Sequence, residues 1–154
     1  MRTEVAFVRS QPNIGAGLGF KIEDEGAEHG RIIGTLALEK SEDDKLYVNG
    51  LRVIRYVSPS QKIVTIDGYN LREELKGVRV LNACFIEVLL ATPEIIPYEW
   101  RAGYTHFWGT VFRHTDGKYV GYLYWIDDKW HFGFDQLNGV FGLSDPAACL
   151  AWTA

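Results

Sequence analysis

Three histidines and one aspartate are the residue types that could bind zinc or move a proton: His106, His114, His131 and Asp127. Zinc needs three or four such side chains converging on one point. If these residues sit on strands joined by tight turns, His106 and Asp127 share one side of a sheet and His131 points to the other. His114 lies far along the strand of His106, so no metal centre is expected. A cross-strand pair of His106 and Asp127 would orient an imidazole as a general base; an edge salt bridge beside a turn accounts for the same pair. Asp127, Asp128 and Asp135 suit turn positions better than a carboxylate pair. Ser58-Pro59-Ser60 reads as loop, and no Gly-x-Ser-x-Gly elbow occurs. In Gly15-Ala16-Gly17-Leu18-Gly19-Phe20 a Phe occupies the third glycine position of a dinucleotide loop, and no Lys-Ser/Thr phosphate loop follows. No catalytic residue, metal or cofactor is assigned.

The elements that would position these residues are set by aromatic side chains. Eight Phe, eight Tyr and five Trp make up 14% of the 154 residues, and fifteen of them fall between Tyr98 and Trp152. Thr115-Asp116-Gly117-Lys118 is a hairpin signal. With Asp116-Gly117 as the loop, Phe112 faces Gly121, Trp108 faces Trp125 and His106 faces Asp127. A second turn at Asp127-Asp128 sets Trp125 opposite Trp130, Leu123 opposite Phe132 and Tyr124 opposite His131. Alternation then sorts the side chains. Trp108, Phe112, Trp125, Trp130, Phe132 and Phe134 form a core side. Phe107, Tyr122, Tyr124 and His131 form a second side, aromatic with polar tips, which is the composition of a ligand-contact surface. A covering helix or second sheet would explain that side equally well.

Elsewhere the pattern is also β-rich. Strands are expected at Glu4–Arg9, Phe20–Ile22, Arg31–Leu38, Ile63–Ile66 and Phe85–Leu90. Asn49-Gly50 between Leu46-Tyr47-Val48 and Leu51-Arg52-Val53-Ile54 predicts a tight hairpin. Leu71, Leu75, Val78 and Leu81 recur at helical spacing, predicting a helix over about 71–82 that Asn70 could cap and Gly77 weakens. Asp145-Pro146 reads as the start of a second short helix over 146–152. The fold class is α+β, β-rich, with antiparallel hairpins and one or two short helices. One domain is expected, with a joint at 92–100 where Pro93 and Pro97 flank Ile95-Ile96.

Gly17-Leu18-Gly19-Phe20 resembles the carboxylate-binding loop of PDZ domains. The resemblance spans residues 3–91, with Gly30-Arg31-Ile32-Ile33 as the next strand. Ile63–Leu71 is similar to the strand and loop before the groove helix, and Phe85–Leu90 to the closing strand. Gln61-Lys62 replaces the family's Gly-Asp, and the Asn49-Gly50 hairpin stands where a short helix belongs. The resemblance implies a peptide-binding role for Gly17, Leu18, Gly19 and Phe20, with a partner's C-terminus on the loop and its backbone added to a strand.

Charge narrows the partners. Sixteen bases against twenty acids give −4, and residues 21–45 alone hold eight acids against four bases. No basic stripe exists, so neither nucleic acid nor an anionic membrane is expected as a partner. Cys84 and Cys149 sit in apolar runs and read as buried thiols rather than a disulfide framework. With no leader or membrane-length apolar run, a cytoplasmic setting is expected. The functional expectation is a non-catalytic module binding a small molecule, or a protein or peptide partner. The alternatives are a small enzyme using His106 and Asp127, and a homo-oligomer that buries the second aromatic side between subunits.

Overall fold

The computed structural model describes residues 2–5, 11–24 and 34–151. Chain order begins with β1 (Arg2–Val5), β2 (Lys21–Asp24), β3 (Leu36–Lys40), β4 (Leu46–Val48) and β5 (Leu51–Tyr56). Then come α1 (Pro59–Ile63), β6 (Ile66–Asp67), α2 (Gly68–Glu74) and α3 (Cys84–Ala91). The chain continues through β7 (Thr105–His114), β8 (Gly117–Ile126), β9 (Lys129–Gln136), β10 (Val140–Phe141) and β11 (Ala147–Leu150). One sheet of nine strands runs β1-β3-β4-β5-β11-β7-β8-β9, with β2 also paired to β7. The architecture is α+β and β-rich, as the pattern implies. The sheet is mixed because β11 runs antiparallel to β5 and parallel to β7.

Turn chemistry builds the hairpins. Asn49 and Gly50 take φ of 49° and 81°, the positive angles of a two-residue loop, and join Val48 to its partner Leu51. Asp127 and Asp128 do the same at 51° and 58°. The register of β8 with β9 follows: Trp125 opposite Trp130, Tyr124 opposite His131, and Leu123 opposite Phe132.

The hairpin of β7 and β8 departs from expectation. Its loop is Thr115-Asp116, since His114 pairs with Gly117, and Phe112 therefore faces Tyr119 rather than Gly121. Further along, Val111 pairs with Val120 but Phe107 with Gly121, so Trp108, Gly109 and Thr110 form a bulge. The segment before α3 fills that bulge. Gly109 N–H donates to Leu81 O at 2.9 Å, and Ala83 N–H donates to Thr110 Oγ1 at 2.9 Å. A Cβ on Gly109 would lie 2.7 Å from Asn82 N, so only glycine admits this approach. The bulge reverses the in–out alternation between Phe107 and Phe112. His106 consequently faces Tyr122, and Asp127 stays in its turn.

Three expected elements change type or extent. Residues 85–90 lie in a helix, α3, not a strand. The apolar run carries no period of its own, and its burial on nearly every side suits a core helix as well as a strand. Residues 147–150 are the strand β11, not a helix over 146–152. Pro146 O accepts from His106 N–H at 2.8 Å, which starts strand pairing where the helix would begin, and Ala147 and Ala148 fit the fully buried slot. The helix expected over 71–82 covers 68–74 and is capped by Asp67, whose carboxylate accepts from Asn70 N–H at 3.1 Å. Gly77, at φ 85°, turns the chain out of it. Val80 then bridges to Cys149.

Smaller departures are local. Pro59–Ile63 is a helix under a Ser58–Gln61 capping box rather than a loop, and of Ile63–Ile66 only Ile66 is in a strand. The strand expected at 31–38 begins at Leu36. Gly30-Arg31-Ile32-Ile33, the end of Glu4–Arg9 and Trp152 lie outside the described residues.

Apolar side chains fill both faces of the sheet. Phe85, Ile86 and Leu89 of α3 pack with Phe107, Phe112 and Leu123 on one face. Leu71 and Leu75 pack with Trp108, Val111, Val120 and Phe141 on the other. The segment 92–100 lies against the first of these cores through Ile95, Ile96 and Trp100. Cys84 and Cys149 are buried free thiols, and burial pushes the Cys149 thiol up to about 12.

Candidate functional site

The far end of the β7–β9 meander carries aromatic side chains on both faces. On one face Tyr122, Tyr124 and His131 come together as the alternation implies. Tyr124 stacks on His131 with ring centroids 5.4 Å apart, and Tyr122 lies 5.4 Å from Tyr124. Gly133, opposite Tyr122, makes room for the phenol ring, since a Cβ there would come within 2.6 Å of Tyr122 Oη. Burial, with the nearby Asp135 charge, holds the Tyr122 phenol above its ordinary range. Phe107 does not join this group. It is fully buried on the opposite face against Phe85, because the bulge resets which β7 residues face which side.

Two more residues complete the patch: Tyr104, which the sequence pattern did not single out, and Asp135, expected in a turn but placed in β9. Tyr104 sits edge-on to Tyr122 at 5.6 Å. Asp135 Oδ2 lies 2.7 Å from His106 Nε2, while His106 Nδ1 lies 3.0 Å from Tyr104 O. Both ring nitrogens of His106 thus face acceptors. His106 is fully buried with neither nitrogen facing solvent, so the geometry is that of a positioning contact that ties β7 to β9. Asp127 is not its partner.

The other face holds a cleft. Trp125 and Trp130 face each other across β8 and β9 with ring centroids 5.1 Å apart at 65°. Expected in the core, both are only half-buried. Against them lies a cleft of about 490 Å³, closed on its second side by Leu90 and Pro93 at the end of α3. Arg101 comes from the 3-10 turn Tyr98–Arg101, in which residues three apart share a face. Its guanidinium carbon lies 4.0 Å from the centroid of Trp125 and 4.6 Å from that of Tyr98. Trp100, on the opposite side of the turn, anchors it in the core. Among the described residues no carboxylate lies within 4.0 Å of Arg101 or Lys129. Lys129 lines the cleft on one side; Glu94 and Asp128 supply its acids. The signal that could have found Arg101 is Pro97-Tyr98-Glu99-Trp100-Arg101, a capped turn with aromatics on both faces.

Comparison with family models, curated proteins and solved structures finds no match to this chain. Function is therefore read from these side chains alone.

The loop at Gly17–Phe20 is folded on itself. Ala16–Leu18 form a 3-10 turn between Gly15 and Gly19, both at positive φ. The N–H groups of Leu18 and Phe20 donate to Gly15 O, and that of Gly19 to Ala16 O. Three of the donors that a carboxylate would need are thereby engaged inside the turn. Leu18 is exposed, its carbonyl accepting from His114 Nε2, and Phe20 stacks on Phe134 at 4.0 Å. Among the described residues no group of three or more His, Cys, Asp or Glu is arranged to hold a metal ion. Among the described residues no helix is long and apolar enough to cross a membrane.

Proposed function

We propose that this chain is a non-catalytic binding module that takes an extended segment of a protein partner in the cleft over Trp125 and Trp130. The observation that carries this reading is Arg101, over the Trp125 ring beside an apolar-walled cleft, with no carboxylate among the described residues on its five donors. A guanidinium held by an aromatic face is pre-organised to receive a carboxylate or a backbone carbonyl. Two cations and two acids line the cleft, so a simple anion gains little from its field. A peptide offers both charges with an apolar side chain between them, and an aromatic or proline side chain fits the paired indoles.

The test is tryptophan emission during titration with a peptide library and, in parallel, a metabolite library. Peptide binding is expected, with Arg101→Ala and Trp130→Ala each weakening it at least about tenfold, as truncation of aromatic and Arg anchors commonly does. Binding that survives both substitutions, or silence across both libraries, refutes the reading.

A second reading keeps the ligand on the Tyr122–Tyr124–His131 face. It rests on His131 Nε2, a buried ring nitrogen with no hydrogen-bond partner among the described residues. Under that reading a small molecule binds, His131→Phe abolishes binding, and Arg101→Ala leaves it unchanged.

A further inference from the structure

β9 is the outermost strand of the sheet, and among the described residues no strand pairs with its second edge. The two-residue loop with positive φ at Asp127 and Asp128 closes on a hydrogen-bonded pair, Ile126 with Lys129. Bonding alternates from there. Odd-numbered residues bond β8, in agreement with the donation from Leu137 N–H to Lys118 O at 2.9 Å just beyond the strand. Trp130, Phe132, Phe134 and Gln136 therefore turn their N–H and C=O groups outward.

Edge strands in monomers are ordinarily guarded by charged side chains, a proline, a bulge or a short length. β9 has no proline and no bulge, and its charges, Lys129 and Asp135, stand towards its two ends. It pairs with β8 without a register shift from Lys129 to Gln136, and its middle reads Trp-His-Phe-Gly-Phe. Trp130, Phe132 and Phe134 are each half-buried, packed against the core but not enclosed by it.

We propose that this edge pairs antiparallel with the same edge of a second copy of the chain, about a twofold axis through Phe132. Twofold symmetry allows registers centred on a residue, and the charges at the strand ends choose among them. Centring on Phe132 sets Lys129 opposite Asp135 of the second copy, and does so twice. These become non-hydrogen-bonded pairs, in which side chains approach most closely. The same register sets Trp130 opposite Phe134 on the other face. Centring on His131 would oppose Asp127 to Asp135, two like charges. Centring on Gly133 would leave Lys129 opposite Leu137. The self-complementary ends favour a second copy over a foreign strand, and the interface is isologous and closes as a dimer. Lys129 and Trp130 belong to both the edge and the cleft, so the two readings are separated by their readouts: sedimentation and cross-linking report the edge, and peptide titration of Arg101→Ala, off β9, reports the cleft.

Sedimentation velocity from roughly 1 to 300 µM protein at low salt tests it, since self-association is concentration-dependent. The expected result is a species of twice the 17.5 kDa chain mass at the upper end. A zero-length carbodiimide should then join Lys129 to Asp135. Within one copy those residues lie about 20 Å apart along β9, so the link forms only between copies. Lys129→Glu, at an exposed position, should keep the parent circular dichroism and raise the dimer dissociation constant roughly tenfold by opposing like charges. A single 17.5 kDa species throughout overturns the proposal. So does a dimer that lacks the Lys129–Asp135 link, or one that Lys129→Glu leaves unchanged.

Discussion

Gly109→Ala tests the contact that decides which aromatic residues face which side of the sheet. The added methyl would sit 2.7 Å from Asn82 N, 2.7 Å from Leu81 C and 2.8 Å from Asn82 Cα. All three are backbone atoms of a segment held between β11 and β7, through Leu81 N–H to Ala148 O at 2.9 Å and Ala83 N–H to Thr110 Oγ1 at 2.9 Å. No flexible side chain can move aside, so relief requires displacing the segment and losing some of these bonds. Overpacking of this kind costs about 1–3 kcal/mol, and a backbone-only clash belongs at the upper end, about 3 kcal/mol. For a chain of this size that lowers Tm by roughly 6–12 °C. Urea and thermal unfolding followed by tryptophan emission measure it. Gly17→Ala is the control: nothing lies within 4 Å of its Cβ, and it should stay within about 0.5 kcal/mol of the parent. A Gly109→Ala protein as stable as the control would refute the bulge contact, and with it the account of why Phe107 and Phe112 face the same core.

Two further outcomes concern ionisation. Burial raises the Tyr122 phenol, so the unfolded chain loses that proton at lower pH than the folded one; stability from this group is complete below about pH 10 and falls as pH rises through the folded value. Tyr122→Phe should remove that part of the alkaline loss of stability, and an unchanged alkaline limb in urea titrations would count against it. The Cys149 thiol, at about 12, should ignore a disulfide reagent at pH 8 in the folded protein and react fully in denaturant; stoichiometric labelling of Cys149 in the native state would contradict its burial.

What could be read from the residues was whatever short-range turn chemistry dictates. Asn49-Gly50 and Asp127-Asp128 each specify their own backbone angles, so the hairpins and the full β8–β9 register follow. The bulge at Trp108–Thr110 did not follow, because its cause is a segment more than twenty residues earlier in the chain, and that one insertion displaced Phe107 and separated His106 from Asp127. The misassigned elements share a cause as well. Residues 85–90 are buried on nearly every side and 147–150 on all, and such burial erases the periodicity that tells helix from strand. At the site, Tyr122, Tyr124 and His131 were legible as one cluster. Arg101 and the opening over Trp125 were not, because they depend on how the turn after Pro97 packs against β8, a tertiary contact.

The position of β11 bears on how the chain reaches its native state. β3–β5 and β7–β9 can each form from neighbours in sequence, as hairpins do on a microsecond scale. The sheet joins them only when Ala147–Leu150 enters between β5 and β7, pairing Ala147 with Tyr56 and with His106. The pairing with Tyr56 closes a loop of about ninety residues, and loop closure of that length slows folding. Until β11 enters, two partly formed sheets each present an open apolar edge, and that interval is when the chain is most exposed to aggregation during synthesis.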